Sequence, residues 1–86
     1  MKQFTYTIKD ALGIHARPAG LLAKKAKSYA DTAVTINATG KTVNLGQLRK
    51  LMALGVKQGT EVTITCDGAN EDDAVDGLLA FLEENL

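Results

Sequence analysis

Three stretches of the chain alternate apolar and polar residues with the two-residue period of a half-buried strand. Phe4, Tyr6 and Ile8 alternate with Gln3, Thr5, Thr7 and Lys9, and Val34, Ile36 and Ala38 are interrupted by Thr35 and Asn37. Val62, Ile64 and Cys66 repeat the pattern against Glu61, Thr63 and Thr65. Threonine dominates the polar side, which suits a sheet with one face in water. Thr39-Gly40 reads as a turn into a short returning strand, Lys41-Thr42-Val43, so a hairpin is predicted there.

Between and after these strands the apolar period changes to that of a helix. Ala19, Leu22, Ala23, Ala26 and Ala30 form one stripe that should face the sheet. Asn44 is expected to cap a second helix, with Gln47 as its capping-box partner and Gly55 as the stop. Asn70 is expected to cap a third, with Asp72 and Asp73 well placed in its first turn and Val75, Leu78, Leu79 and Leu82 buried. The order β-α-β-β-α-β-α predicts an α+β fold, with three helices on one face of a four-stranded antiparallel sheet. Residues 1–86 are expected to make a single domain, since a chain of 86 residues has no room for a second core. The ferredoxin-like folds share the β-α-β-β-α-β string, and they host unrelated functions. Function therefore has to be argued from a site.

Composition narrows the chemistry. One Cys and one His exclude an internal disulfide and the usual zinc ligand sets, so no metal and no cofactor are expected. Ten Lys+Arg balance ten Asp+Glu, which gives no bulk field toward nucleic acid or a membrane surface. No apolar run approaches a membrane span, and the start lacks a signal-peptide hydrophobic stretch. The expectation is a soluble, cytoplasmic protein. Its charges are segregated, however: Glu71, Asp72, Asp73, Asp76, Glu83 and Glu84 crowd the end of the chain, and no base lies among them. Arg17, Lys24, Lys25 and Lys27 form a basic stretch with no acid between Leu12 and Ala30.

That stretch follows the one place where chemistry is concentrated, Gly13-Ile14-His15-Ala16-Arg17-Pro18-Ala19-Gly20. Proline is tolerated in a first helical turn, so a helix starting near Ala16 would put His15 at its N-cap. Pro18 biases Arg17 away from helical angles, and this favours a start two residues later. With the earlier start, the unpaired first-turn amides and the positive end of the helix dipole surround the imidazole. A phosphoryl group on the ring would meet those donors and Arg17. The same positive end disfavours a protonated ring, which keeps a lone pair for nucleophilic attack. A polar loop histidine beside a solvated arginine is the competing reading of the same residues.

The motif Gly-Ile-His-Ala-Arg-Pro-Ala resembles that of the histidine-containing phosphocarrier (HPr) family of the bacterial phosphoenolpyruvate:sugar phosphotransferase system. The likeness extends through Lys41-Thr42-Val43-Asn44-Leu45 and Leu54-Gly55-Val56 and covers essentially the whole chain. It implies an open-faced β-sandwich with sheet order 1-4-2-3. It also implies that His15 takes a phosphoryl group on Nδ1 from enzyme I and passes it to a histidine of a sugar-specific enzyme IIA domain. Arg17, with Ala16 and Pro18 at the helix start, would stabilise the phosphoryl charge. The protein would be a covalent intermediate, not an enzyme with its own turnover, and a monomer.

The partner surface implied by the resemblance joins helices one and two. Arg17, Leu21, Lys24 and Ser28 share a helix face away from the alanine stripe, with Gly20 and Lys27 beside it. Leu48, Arg49, Met52 and Ala53 match contact positions on helix two, although Leu48 and Met52 would equally suit a core. One departure bears on regulation. The serine that begins helix two in many Gram-positive members, and serves as a kinase-controlled switch, aligns with Gln47, and the only serine here is Ser28. A non-transferring regulatory module of the same fold is the second reading. An acylphosphatase-like enzyme is the third, but it would need a second arginine near the site.

Overall fold

The computed structural model describes residues 1–29 and 31–86; Ala30, assigned above to the stripe of the first helix, lies outside the described residues. The elements run β1 (Lys2–Thr7), α1 (Ala16–Lys27), β2 (Thr32–Ala38), β3 (Lys41–Asn44), α2 (Leu48–Ala53), β4 (Glu61–Gly68) and α3 (Glu71–Asn85). All pairings are antiparallel and the strand order is β1-β4-β2-β3, the order the resemblance implied. This separates the fold from the ferredoxin-like arrangement, which sets its first and third strands side by side. Here β1 and β3 occupy opposite edges.

Edge position explains how β1 is buried. Phe4 and Tyr6 face the helices but are only half-buried, because β4 covers one side of the strand and solvent the other. Ile8, predicted within the strand, lies one residue past its end and is fully buried. In the central strands the alternation is complete: Val34, Ile36, Ala38, Val62, Ile64 and Cys66 are all buried. Thr39 and Gly40 both take positive φ, 53° and 82°, as a two-residue hairpin turn between right-twisted strands requires. Cys66 faces the core, as its side of the alternation predicts.

The helices cover one sheet face, leaving the threonine side open. α1 begins at Ala16 and buries Pro18, Ala19, Leu22, Ala23 and Ala26. Two expectations need correction. Asn44 does not cap α2: it ends β3, and its Oδ1 accepts the Gly46 amide at 2.8 Å in a local turn. Gln47 holds the N-cap instead, and the helix is only six residues long. In α3 the fully buried stripe is Ala74, Leu78 and Leu82, continued by Leu86, whereas Val75 and Leu79 are half-buried on its flanks. Leu78 and Leu82 are buried as predicted, but starting the stripe at Val75 missed Ala74, whose small side chain hid the true start of the i, i+4 row. Asn70 does occupy the N-cap of α3, with Glu71, Asp72 and Asp73 in the first turn. The amino group of Met1 pairs with Glu71 at 3.0 Å, and Lys2 pairs with Asp72, tying β1 to that end of α3.

Candidate functional site

The loop between β1 and α1 is built by main-chain hydrogen bonds. Asp10 Oδ1 accepts the Leu12 amide at 2.8 Å, and the Asp10 carbonyl accepts the Gly13 amide at 2.9 Å. Gly13 has φ +67°, and a Cβ placed there would fall 2.3 Å from the Val56 carbonyl oxygen. That oxygen accepts the Ile14 amide at 3.1 Å, while the buried Ile14 side chain anchors the loop in the core. The loop thus delivers His15 at a fixed point above the helix mouth.

His15 is the N-cap of α1, with extended backbone angles (φ −113°, ψ 176°), and its carbonyl accepts the Ala19 amide at 2.9 Å. Proline therefore occupies the third helical position and does not delay the start. Its ring removes one of the first-turn donors, leaving the amides of Ala16 and Arg17 as those without intrahelical acceptors. The imidazole makes no capping hydrogen bond to them. Its side chain is 37% exposed, so the ring is neither sunk in the core nor loose in solvent. It lines a shallow hollow of about 180 Å³ together with Arg17, Pro18, Leu21 and Asn85. No acidic residue stands in the first turn of α1, and none of the ion pairs among the described residues uses Arg17. The exposed Arg17 side chain shares the hollow with the imidazole, and the amides of Ala16 and Arg17 open the helix beside them. Such a mouth accepts a compact anion.

Leu21, which lines the hollow, is 51% exposed, and on α2 Leu48 and Met52 are 42% and 39% exposed, so neither of the two that could have been core is buried. Arg17, Leu21, Lys24 and Ser28 are all exposed, as expected of one helix face. Arg49 and Ala53 are exposed as well, and the buried residue of α2 is Leu51. Gly20 has nothing within 4 Å of the position its Cβ would take. Lys27 is not gathered with the others. Its stem lies over Gly46 and lines a second hollow, with Tyr29, Val34 and Asn44, at the other end of α1. Two features escaped the sequence reading. Asp10 Oδ1 lies 3.9 Å from His15 Nε2, and Asn85 at the end of α3 walls the hollow. The Asp-X-X-Gly spacing before the motif was a turn signal that could have found the first. The second joins the site only through the tertiary fold, and nothing local announces it.

Fold and site together define a class: a small open-faced α+β sandwich that offers one imidazole at the mouth of a helix. Residues 2–84 match the family model described as PTS HPr component phosphorylation site. The chain is 39% identical over 85 residues to the phosphocarrier protein HPr of Mycoplasma genitalium, covering 99% of this chain and 97% of that protein. A solved mycoplasmal histidine-containing phosphocarrier protein superposes with a TM-score of 0.92 at 37% identity, covering 96% of this chain and 93% of that one. HPr-C-His from Thermoanaerobacter tengcongensis gives the same TM-score at 33% identity, covering 98% and 93%. The chain belongs to the HPr family, and its role is that of a phosphoryl carrier in the phosphotransferase system.

Proposed function

We propose that His15 is the residue that carries the phosphoryl group, and that the group enters on Nδ1. The observation that carries this reading is the placement of a half-exposed imidazole at the N-cap of α1, in one hollow with Arg17. In the first transfer the Nδ1 lone pair attacks phosphorus, and the bond between phosphorus and the donor nitrogen of enzyme I breaks with its electron pair leaving on that nitrogen. In the second, a histidine of an enzyme IIA domain attacks the same phosphorus, and the electron pair of the Nδ1–P bond returns to His15. The Ala16 and Arg17 amides and the Arg17 guanidinium hold the phosphoryl oxygens throughout. Dipole contacts of ~0.3–1 kcal/mol and charge-assisted hydrogen bonds of ~1.5–3 kcal/mol orient the group without trapping it.

The protein is consumed and regenerated by its partners and turns nothing over by itself. Its docking face is Gly20, Leu21, Lys24, Leu48, Arg49 and Met52, apolar and basic side chains together, whereas Lys27 lies apart from it at the second hollow. Enzyme I and enzyme IIA use this face in turn, so the carrier works as a monomer. Among the described residues no helix is long and apolar enough to cross a membrane. The proposed place of transfer is the cytoplasm, on the strength of the family relationship. Gln47 stands where a regulatory serine would begin α2, so its amide offers no hydroxyl to phosphorylate. Incubation with enzyme I and phosphoenolpyruvate should add one acid-labile phosphate, and His15→Ala should abolish it. Failure of the unaltered protein to label with a competent enzyme I overturns the proposal.

A further inference from the structure

Resting on the reading of His15 just given, we infer that Asp10 is the positioning residue of the carrier: its carboxylate holds the proton of His15 on Nε2 and leaves Nδ1 as the only nucleophilic nitrogen. The carboxylate lies 3.9 Å from Nε2, and no other ion pair among the described residues reaches the imidazole. The Asp10 main chain is fixed at both ends, its amide donating to a main-chain oxygen of Leu86 at 2.8 Å and its carbonyl accepting the Gly13 amide. Its Oδ1 also accepts the Leu12 amide at 2.8 Å, which restricts the rotamer. The carboxylate is thus held on the Nε2 side of the ring before any partner arrives. At 3.9 Å the pair is an ion-pair contact, and a modest turn of the imidazole toward Oδ1 in the free chain makes it a hydrogen bond.

The proton balance explains why this matters. A neutral ring protonated on Nε2 becomes a cationic ring when Nδ1 bonds to phosphorus, and it returns to the same neutral tautomer when that bond breaks. No proton has to be delivered or removed in either transfer. The carboxylate faces the positive charge that the ring gains, and it repels the phosphoryl oxygens only from the opposite side of the ring, at longer range. Carboxylate–imidazole pairs fix a tautomer in this way in nucleophilic enzymes and metal sites alike.

The test is nitrogen-15 NMR of the unphosphorylated chain, at a pH where the imidazole is neutral, on the unaltered protein and on Asp10→Ala and Asp10→Asn. The unaltered protein and Asp10→Asn, whose amide oxygen can still accept from both Nε2 and the Leu12 amide, should show Nε2 protonated and Nδ1 bare. Asp10→Ala should shift both signals toward the tautomer mixture of an unpaired imidazole. In transfer from enzyme I, Asp10→Asn should lower kcat about fivefold through loss of charge while KM stays unchanged. Identical tautomer signals in the unaltered protein and Asp10→Ala overturn the inference. The tautomer measurement needs no phosphate donor, so it stands even where phosphorylation of His15 fails.

Discussion

The amide of Ile14 donates to the carbonyl of Val56 at 3.1 Å, a backbone bond that fastens the loop before His15 to the segment after α2. The contact depends on the residue before it. At Gly13 the backbone is left-handed, and a Cβ would lie 2.3 Å from that carbonyl oxygen and 2.7 Å from the Lys57 Cα. Both obstacles are main chain and cannot swing aside. Gly13→Ala is therefore expected to destabilise the fold by about 3 kcal/mol or more, from left-handed strain and displacement of the bond. Equilibrium urea unfolding measures the loss. A midpoint within error of the parent would mean that the loop is not held as described.

Gly20 behaves in the opposite sense. It sits inside α1, where glycine costs about 1 kcal/mol relative to alanine, yet no atom lies within 4 Å of the missing Cβ. Nothing among the described residues requires it. Gly20→Ala should raise stability by about 1 kcal/mol in urea unfolding and, on the proposed docking face, raise the KM for enzyme I severalfold. Stabilisation with an unchanged KM would remove the partner from the explanation.

The sheet was legible in the sequence wherever alternation was uninterrupted. Val62, Ile64 and Cys66 lie in the strand paired on both edges, where one face is wholly buried, so polarity and burial coincide. The helices were less legible at their ends. Asn44 carried a strong capping signal, but its side chain satisfies the Gly46 amide in the preceding turn, and tertiary pairing of β3 with β2 claims its backbone. Ala74 is too small to weigh in a hydrophobic pattern yet is fully buried at the start of the inward row of α3. At the site, His15 and Arg17 were visible because they share one motif. Asn85 reaches the same hollow from the far end of the chain, and only the packing of α3 against α1 brings it there.

Leu21 and Leu48 separate docking from stability. Both are more than two-fifths exposed, so truncation removes little buried surface from the folded chain. Leu21→Ala and Leu48→Ala should each change stability by about 0.5 kcal/mol or less. An apolar side chain at the centre of an interface typically costs at least ~1 kcal/mol when truncated, which corresponds to about a fivefold loss of affinity for enzyme I. Calorimetric titration against enzyme I reads the second effect and thermal unfolding the first. A large fall in melting temperature in either variant would place that leucine in the core instead.

Cys66 gives the fold a dependence on alkaline pH. Its side chain is fully buried in β4, between β1 and β2, and burial, with a smaller contribution from the Glu71 charge, pushes the thiol pKa up. The unfolded chain ionises this thiol near its ordinary value of about 8.5, whereas the folded chain keeps it protonated to higher pH. Above that value the unfolded state binds fewer protons than the folded state, so stability falls as pH rises toward the folded pKa. Below it, both states hold the proton and the group has no effect. Cys66→Val fills similar space with nothing to ionise. Unfolding measured between pH 7 and 10 should show a shallower alkaline decline in the variant than in the parent, and the difference between the two curves isolates the thiol from the lysines and the amino terminus. The native parent should also react with a thiol reagent only as fast as the sheet opens. Parallel curves, or immediate labelling of the folded protein, would show that β4 leaves the sulfur open to water.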